Sequence, residues 1–364
     1  MKVAIIGAGS SGLTAAIRLE AYGIKPDIFE RKSRVGDVFN HVAGLLNIIY
    51  RPIKDPLDYI KNNFDINIVP LNVINKVVMH GPTVTRTINS RRIGYYVIKG
   101  QDVASAENQL YEKLKTNINF NVHADYKKLK SEYDYVLIAT GNQQIPKEVG
   151  CWQNFVETRL KIAEVIGKFD PTSLIMWLNT AYCKSGYVYL APFDDKRAVL
   201  VLIVPYVTRE EVAKYWNNFL RIEKINMDIV NIYDYEHISG NCFPHRFENL
   251  YFIGNAGGAI EPFLGFGQFA SIMSGALAAK SIATGSDFEK EMLQLSNQNI
   301  NMLELRKAID TMDNDKYDRL IKILSAPLIK QLVYDTNFNV IKHSSIFTKY
   351  AANEIFYKPF KKLE

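Results

Sequence analysis

Val3-Ala4-Ile5-Ile6-Gly7-Ala8-Gly9-Ser10-Ser11-Gly12 reads as a short strand, a glycine turn and the opening of a helix. Val3 to Ile6 is an apolar run of the kind a central parallel strand carries, because such a strand is covered on both faces. Gly7 permits the tight turn, Gly9 lets a pyrophosphate approach the backbone, and Gly12 lets helix and strand pack closely. The helix is expected from Ser11 to about Tyr22, with its N-terminal amides and dipole aimed at the phosphates. A second strand, Pro26 to Phe29, ends in Glu30, whose carboxylate can accept ribose hydroxyls. A glycine turn without a ligand is the alternative. Strand, helix and acid at the required offsets argue against it.

A second segment far along the chain repeats the pattern. Leu250-Tyr251-Phe252-Ile253-Gly254-Asn255-Ala256-Gly257-Gly258 is a buried strand running into glycines. It continues through Glu261-Pro262-Phe263-Leu264-Gly265-Phe266-Gly267 into a helix carrying Ser274-Gly275-Ala276. A dinucleotide threaded between two such units is held at both ends, which points to FAD. One strand–turn–helix unit with its acid is present and no second one, so a dedicated NAD(P)H domain is not visible. Electrons are then expected from a transiently docking donor, either NAD(P)H or a small redox protein.

The chain has 364 residues, 48% hydrophobic and 23% charged, enough for two joined domains with a large core. The net charge of +6 is scattered without a basic block, so nucleic acid is not implied. Weak attraction to anionic headgroups or to an acidic redox partner is left open. Cys151, Cys183 and Cys242 are widely spaced and form neither a zinc pattern nor a disulfide framework, so no metal is expected. The chain opens on a strand without a leader pattern, and its longest apolar run, 198–207, is short of a spanning helix. A cytoplasmic protein, with peripheral membrane contact left open, is the expectation.

The expected architecture is α/β: a discontinuous Rossmann-type FAD-binding domain, an inserted antiparallel β-sheet substrate domain and a C-terminal helical segment. The FAD-binding domain is assigned to 1–73, 98–150 and 241–286, the substrate domain to 74–97 and 151–240, and the helical region to 287–364. Within these, Ile74 to Val97 reads as strand–turn–strand, with turns at Gly81-Pro82 and near Ser90-Arg91-Arg92. Gln101 to Lys115 reads as a helix with Val103 on its apolar side, and Asn119 to His123 as a strand.

Taken together, the residues resemble the geranylgeranyl reductase family, within the larger p-hydroxybenzoate hydroxylase-like flavoprotein fold. Four stretches in the same order carry the resemblance: the N-terminal fingerprint, Ala139-Thr140-Gly141, Gly186-Tyr187-Val188-Tyr189-Leu190-Ala191-Pro192, and Gly254 to Ala279. It implies FAD bound by Gly7, Gly9, Ser10, Ser11, Gly12, Glu30, Arg31, Gln101, Ala139, Thr140, Gly141, Gly254, Asn255, Pro262, Gly265, Gly267 and Gln268. Asn255 stands where the family has an aspartate facing the ribityl hydroxyls; it keeps an acceptor and adds a donor. Tyr189 replaces the family's tryptophan, and Ala198 to Val204 lacks the glycines that make room for a prenyl chain. Aligning Gly36 puts His41 at a cysteine position beside the flavin.

The resemblance implies a reductase that saturates carbon–carbon double bonds in an isoprenoid or other apolar, lipid-like substrate. Hydride transfer to an alkene needs a proton for the other carbon, and His41, Tyr187 and Tyr189 are the candidate donors. Tyr187 and Tyr189 share one strand face at period two, so plain core aromatics are an equal description of them. Gly265-Phe266-Gly267-Gln268 opens a helix whose amides can stabilise charge on a reduced flavin, with Pro262 stiffening the turn before it. Two other functions fit the same scaffold. One is a flavin monooxygenase; the other is a degenerate FAD-binding paralogue acting as a binding partner. Halogenase chemistry is disfavoured, since no Trp-x-Trp-x-Ile-Pro segment occurs and no lysine stands in the flavin-proximal segments identified above.

Overall fold

The structure, a computed structural model, describes residues 1–36 and 39–344, the side chain of Arg92 excepted. The part of the expected C-terminal helical region beyond 344 lies outside these residues. The strands are β1 (Val3–Ile6), β2 (Asp27–Phe29), β3 (His41–Leu46), β4 (Asn72–His80), β5 (Thr85–Lys99), β6 (Ile118–Asn119) and β7 (Tyr135–Ile138). They continue as β8 (Trp152–Ile166), β9 (Ser173–Trp177), β10 (Tyr187–Pro192), β11 (Arg197–Pro205), β12 (Asp228–Cys242), β13 (Arg246–Phe247) and β14 (Leu250–Phe252).

Among the described residues the strands form two sheets. A six-stranded sheet has the order β13-β14-β7-β1-β2-β6, with β1 parallel to both β2 and β7 and Ile5 opposite Ile28 and Leu137. Every residue of β1 is buried, as its unbroken apolar run requires. An eight-stranded sheet has the order β12-β8-β11-β10-β9-β4-β5-β3. This is the expected class, a Rossmann-type FAD-binding fold, a second β-sheet and helices at the end of the described chain, except that the second sheet, expected antiparallel, pairs β4 with β9 in parallel.

Helix Ser10–Ala21 begins at the first glycine turn, and helix Gln268–Thr284 begins at the second. The two pack against each other through glycine. A Cβ on Gly275 would stand 2.2 Å from the Ser11 carbonyl oxygen, and one on Gly12 would stand 2.0 Å from the Gly7 carbonyl oxygen. Absent side chains therefore let helix meet helix and helix meet strand at backbone distance, and both N-termini reach the same place.

Several local expectations change. Strand β3, inside the 1–73 segment assigned to the FAD-binding domain, pairs antiparallel with β5 and belongs to the second sheet. Residues 85–99 form one long strand, with the hairpin turn after His80; at Ser90-Arg91-Arg92 the expected turn is a bulge, the pairing slipping from Asn89 opposite Lys76 to Gly94 opposite Ile74. Polar residues there lie on a long, partly exposed ribbon, which composition alone reads as a break. The helix expected from Gln101 is only Ala106–Tyr111, because Ser105 caps it by accepting the Asn108 amide. Val103 precedes the cap and is 83% exposed. The strand expected over Asn119–His123 ends at Asn119, β6 being two residues long.

Strand β12 is a gain. It is an edge strand paired with β8 alone, so most of Asp228–Glu236 is exposed and carries no in–out alternation. Cross-strand ion pairs, Lys161 with Asp234 at 2.5 Å and Arg159 with Glu236 at 2.5 Å, blunt that edge.

Gly275→Val should force the two helices apart and lower stability by about 1–3 kcal/mol, the usual cost of overpacking. Chemical denaturation monitored by circular dichroism reads the change. An unaltered midpoint would mean that this helix pair is not in backbone contact.

Candidate functional site

The first helix N-terminus opens on a cavity of about 750 Å³, which the second helix reaches at Ser271. Gly7, Gly9, Ser10 and Ser11 line its floor; Glu30, Arg31 and Lys32 line one end; Ala139, Thr140 and Gly141 line the strand side; Asn255 lies towards the other end. Gly9 caps the first helix with φ −82°, ψ −176°, and a Cβ there would meet nothing within 4 Å. Gly141 likewise faces open space. A Cβ at either point would fill a cradle that the backbone leaves clear, as a pyrophosphate needs. Glu30 is buried, its two oxygens accepting the Ala8 and Lys32 amides at 2.8 Å each, and each oxygen retains acceptor capacity towards a ribose. The residues present fit a dinucleotide the size of FAD.

Behind the cradle lies a polar network joining the two helices. Ser10 Oγ donates to Glu107 at 2.6 Å, Gln268 Nε2 donates to Ser10 Oγ at 3.1 Å, and Lys99 Nζ donates to Gln268 Oε1 at 2.8 Å. Lys99 also pairs with Glu107 at 3.1 Å, and Glu107 is 3% exposed. An acid next to a phosphate cradle would repel the ligand; here the lysine ammonium neutralises it.

A second, apolar cavity of about 240 Å³ adjoins the first. The two share Lys99, Tyr235, His237, Asn255, Ile260 and Ser271. His41, Tyr187 and Tyr189 all line the apolar cavity, as do Gly265, Gly267 and Gln268. The Tyr187 hydroxyl donates to the Leu264 carbonyl at 2.5 Å, which ties it to the loop before the second helix. Burial raises the pKa of both tyrosines, so both stay protonated.

That loop is organised by Glu261, whose carboxylate accepts the amides of Phe263 at 2.6 Å, Leu264 at 2.9 Å and Phe266 at 3.1 Å. Arg306 donates to the Phe263 carbonyl at 3.5 Å and to the Ser185 carbonyl at 2.6 Å, anchoring the loop to the helix Phe288–Asp310. Burial lifts Glu261 to about 7 against the opposing pull of these amides.

Some expected ligands stand apart. Gln101 lies outside both cavities; its amide donates to Asn40 at 2.7 Å. Pro262 borders a small neighbouring space beside Phe263 and Arg306. Gly12 and Gly254 are packing positions: a Cβ on Gly254 would stand 2.3 Å from Ser11 Oγ. The Asn255 amide group donates to the Gly141 carbonyl at 3.4 Å and faces both cavities.

Sequence reasoning passed over Lys99, Glu107, Glu261 and His237. Lys99 lies at the junction of the two cavities, which removes the lysine argument raised above against halogenase chemistry. Its signal was the last position of a strand that continues past the expected turn. His237 sits on the edge strand that lacked alternation; burial holds it to about 4, hence neutral at neutral pH. A Cβ on Gly265 would lie 3.0 Å from its Cε1, so only glycine fits there without displacing the ring.

Residues 1–159 match the family model described as pyridine nucleotide-disulphide oxidoreductase. Over the whole chain the fold is similar to a geranylgeranyl bacteriochlorophyll reductase-like protein from Thermoplasma acidophilum, with a TM-score of 0.74 at 16% identity, covering 95% of this chain and 98% of that one. It is also similar to the flavin-dependent brominase Bmp2, with a TM-score of 0.65 at 15% identity, covering 98% and 100%. A flavoprotein/dehydrogenase from Cytophaga hutchinsonii gives a TM-score of 0.62 at 12% identity, covering 97% and 100%. At these identities the likeness is one of fold.

Two predictions follow from this geometry. Gly9→Val should leave the unfolding midpoint near that of the parent, since its backbone is extended and its surroundings are open. FAD affinity should nevertheless fall at least about tenfold. Gly12→Val should lower both together. Equilibrium dialysis beside thermal melts separates the cases, and full FAD retention by Gly9→Val would remove the pyrophosphate from this turn. Glu261 has a raised native pKa, so the native state binds the proton more tightly than the unfolded chain, and stability falls as pH rises from the ordinary carboxylate range through about 7. Relative to Glu261→Gln, the parent should lose up to about 3 kcal/mol between roughly pH 5 and pH 8. Parallel pH profiles of the two proteins would show no divergence if Glu261 were not buried as a titrating acid.

Proposed function

We propose that this chain, an FAD-dependent oxidoreductase by its N-terminal family match and its fold, is a reductase that saturates a carbon–carbon double bond of an isoprenoid or other apolar substrate. The observation that carries the reading is the pairing of a polar dinucleotide cavity with an adjoining apolar one, the two meeting at Lys99, His237 and Asn255. Gly9 to Ser11 and Glu30 would hold the pyrophosphate and ribose. The amides at Gly267 and Gln268 would face the ring end. When bound and reduced, FAD supplies a hydride to one alkene carbon.

The chain's own residues supply the rest. His41 and Tyr189 line the apolar cavity and are the proposed proton donors for the second carbon. Tyr187 serves a different part, since its hydroxyl is committed to the Leu264 carbonyl; it holds the loop against the ring. The aliphatic and aromatic lining excludes water from the reacting carbons. Electrons reach the cofactor from NAD(P)H or a small redox protein that docks transiently. Among the described residues no helix is long and apolar enough to cross a membrane. A lipid-borne substrate would be met by peripheral contact.

The test is anaerobic reduction of the FAD-loaded protein, followed by addition of candidate alkenes. Reoxidation of the flavin coupled to loss of the double bond supports the reductase. Reoxidation only by oxygen, accelerated by substrate and yielding a hydroxylated product, would replace it with a monooxygenase. Asn255→Asp adds a stronger acceptor between the two cavities and should tighten FAD binding a few-fold, read by titrating the FAD-free protein. Absence of saturable FAD binding in both forms would leave the binding-partner reading.

A further inference from the structure

The apolar cavity is small, and its walls show why. An engineered protein cavity of about 150 Å³ accepts one benzene ring, so the 240 Å³ here, one wall of which at Gly267 and Gln268 would face the flavin ring, admits at most on the order of ten non-hydrogen atoms of substrate. Strand β11 closes the floor. Its alternation sends Val199, Val201 and Ile203 into the core on the cavity side, while Leu200, Leu202 and Val204 pack on the opposite face with the helix Arg209–Ile222. Ile203 reaches the cavity surface itself, beside Leu160 and Ile162 from the neighbouring strand β8. The rings of Tyr187 and Tyr189 stand 6.1 Å apart along an adjacent wall. Small residues among the lining are Ala43 and Gly44 on β3, Ala191 on β10, and Gly265, Gly267 and Ser271 on the side of the second helix.

A polyprenyl chain of about twenty carbons would need roughly twice this space. We infer that the substrate of this site is a compact apolar ring compound of at most about ten non-hydrogen atoms, not a long prenyl chain, and that Ile203 sets the limit. The inference rests on the proposal that this cavity is the substrate site. It selects among the apolar substrates named there.

The experiment titrates the oxidised, FAD-loaded protein with 2-naphthol and with farnesol, following the bound-flavin absorbance and the heat of binding. Binding to the oxidised form needs no turnover, so a failure of the reductase reading, seen as no alkene-dependent reoxidation, is distinguishable from a failure here. The expected result is saturable naphthol binding at least tenfold tighter than farnesol binding. Ile203→Ala should narrow that ratio several-fold by extending the cavity. Ala191→Phe should weaken naphthol at least tenfold at unchanged FAD content, and that content serves as the check on folding for both variants. Farnesol binding as tightly as naphthol, no naphthol binding, or a ratio unmoved by Ile203→Ala would each overturn the inference.

Discussion

The site depends on one close approach, the contact of the helix Ser10–Ala21 with the helix Gln268–Thr284 through Gly275 and the Ser11 carbonyl. Two helices normally keep about 8–10 Å between their axes because side chains intervene. Removing the Cβ at the crossing lets the backbones meet, so segments 258 positions apart bring their first turns together, and Ser10 and Gln268 share a hydrogen bond. Their N-termini then face two adjoining cavities that meet at Ser271, favouring a ligand with negative charge spanning both. The remaining features elaborate this convergence.

Charge within the site is balanced locally. Glu107 lies beside the cradle and would oppose phosphate binding if it stood alone; Lys99 answers it and reaches on to Gln268. At the other end, Glu261 gathers the amides of its own loop and so fixes the turn that starts the second helix. Tyr187 and Arg306 hold the same loop from the sheet and from the C-terminal helix. A loop tied from three directions can present backbone donors to a flat ring without rearranging, which is the condition for electrostatic stabilisation to be effective.

The eight-stranded sheet sets the chemistry of the second cavity. Its inward positions are mostly aliphatic or aromatic, and apart from His41 its charged and imidazole side chains lie where it meets the dinucleotide cavity, at Lys99 and His237. The edge strand β12 contributes His237 and Tyr235 at that boundary, while its outer part is solvated and charged. Burial keeps His237 neutral, so the imidazole can accept or donate a hydrogen bond without placing a cation beside the ring.

The sequence by itself determined the fold class and the floor of the dinucleotide cavity. Val3–Ile6, the glycines after it and Glu30 act through local geometry, where a strand, a turn and a helix N-terminus follow one another directly. The same locality made Gly254 to Gln268 legible as a second unit. Only the tertiary structure decided what lies between them. Lys99 and Glu107 reach the cradle because β5 runs on and Ser105 caps a shorter helix. His237 arrives on an edge strand, whose two exposed faces leave no periodic signature. Gln101, two positions from Lys99, falls outside, since β5 ends at Lys99 and the chain turns at Gly100 (φ 117°), leaving the Gln101 amide on the Asn40 side chain. The size of the apolar cavity was also invisible, being set by residues from seven strands at once, whose distances no single stretch of chain encodes.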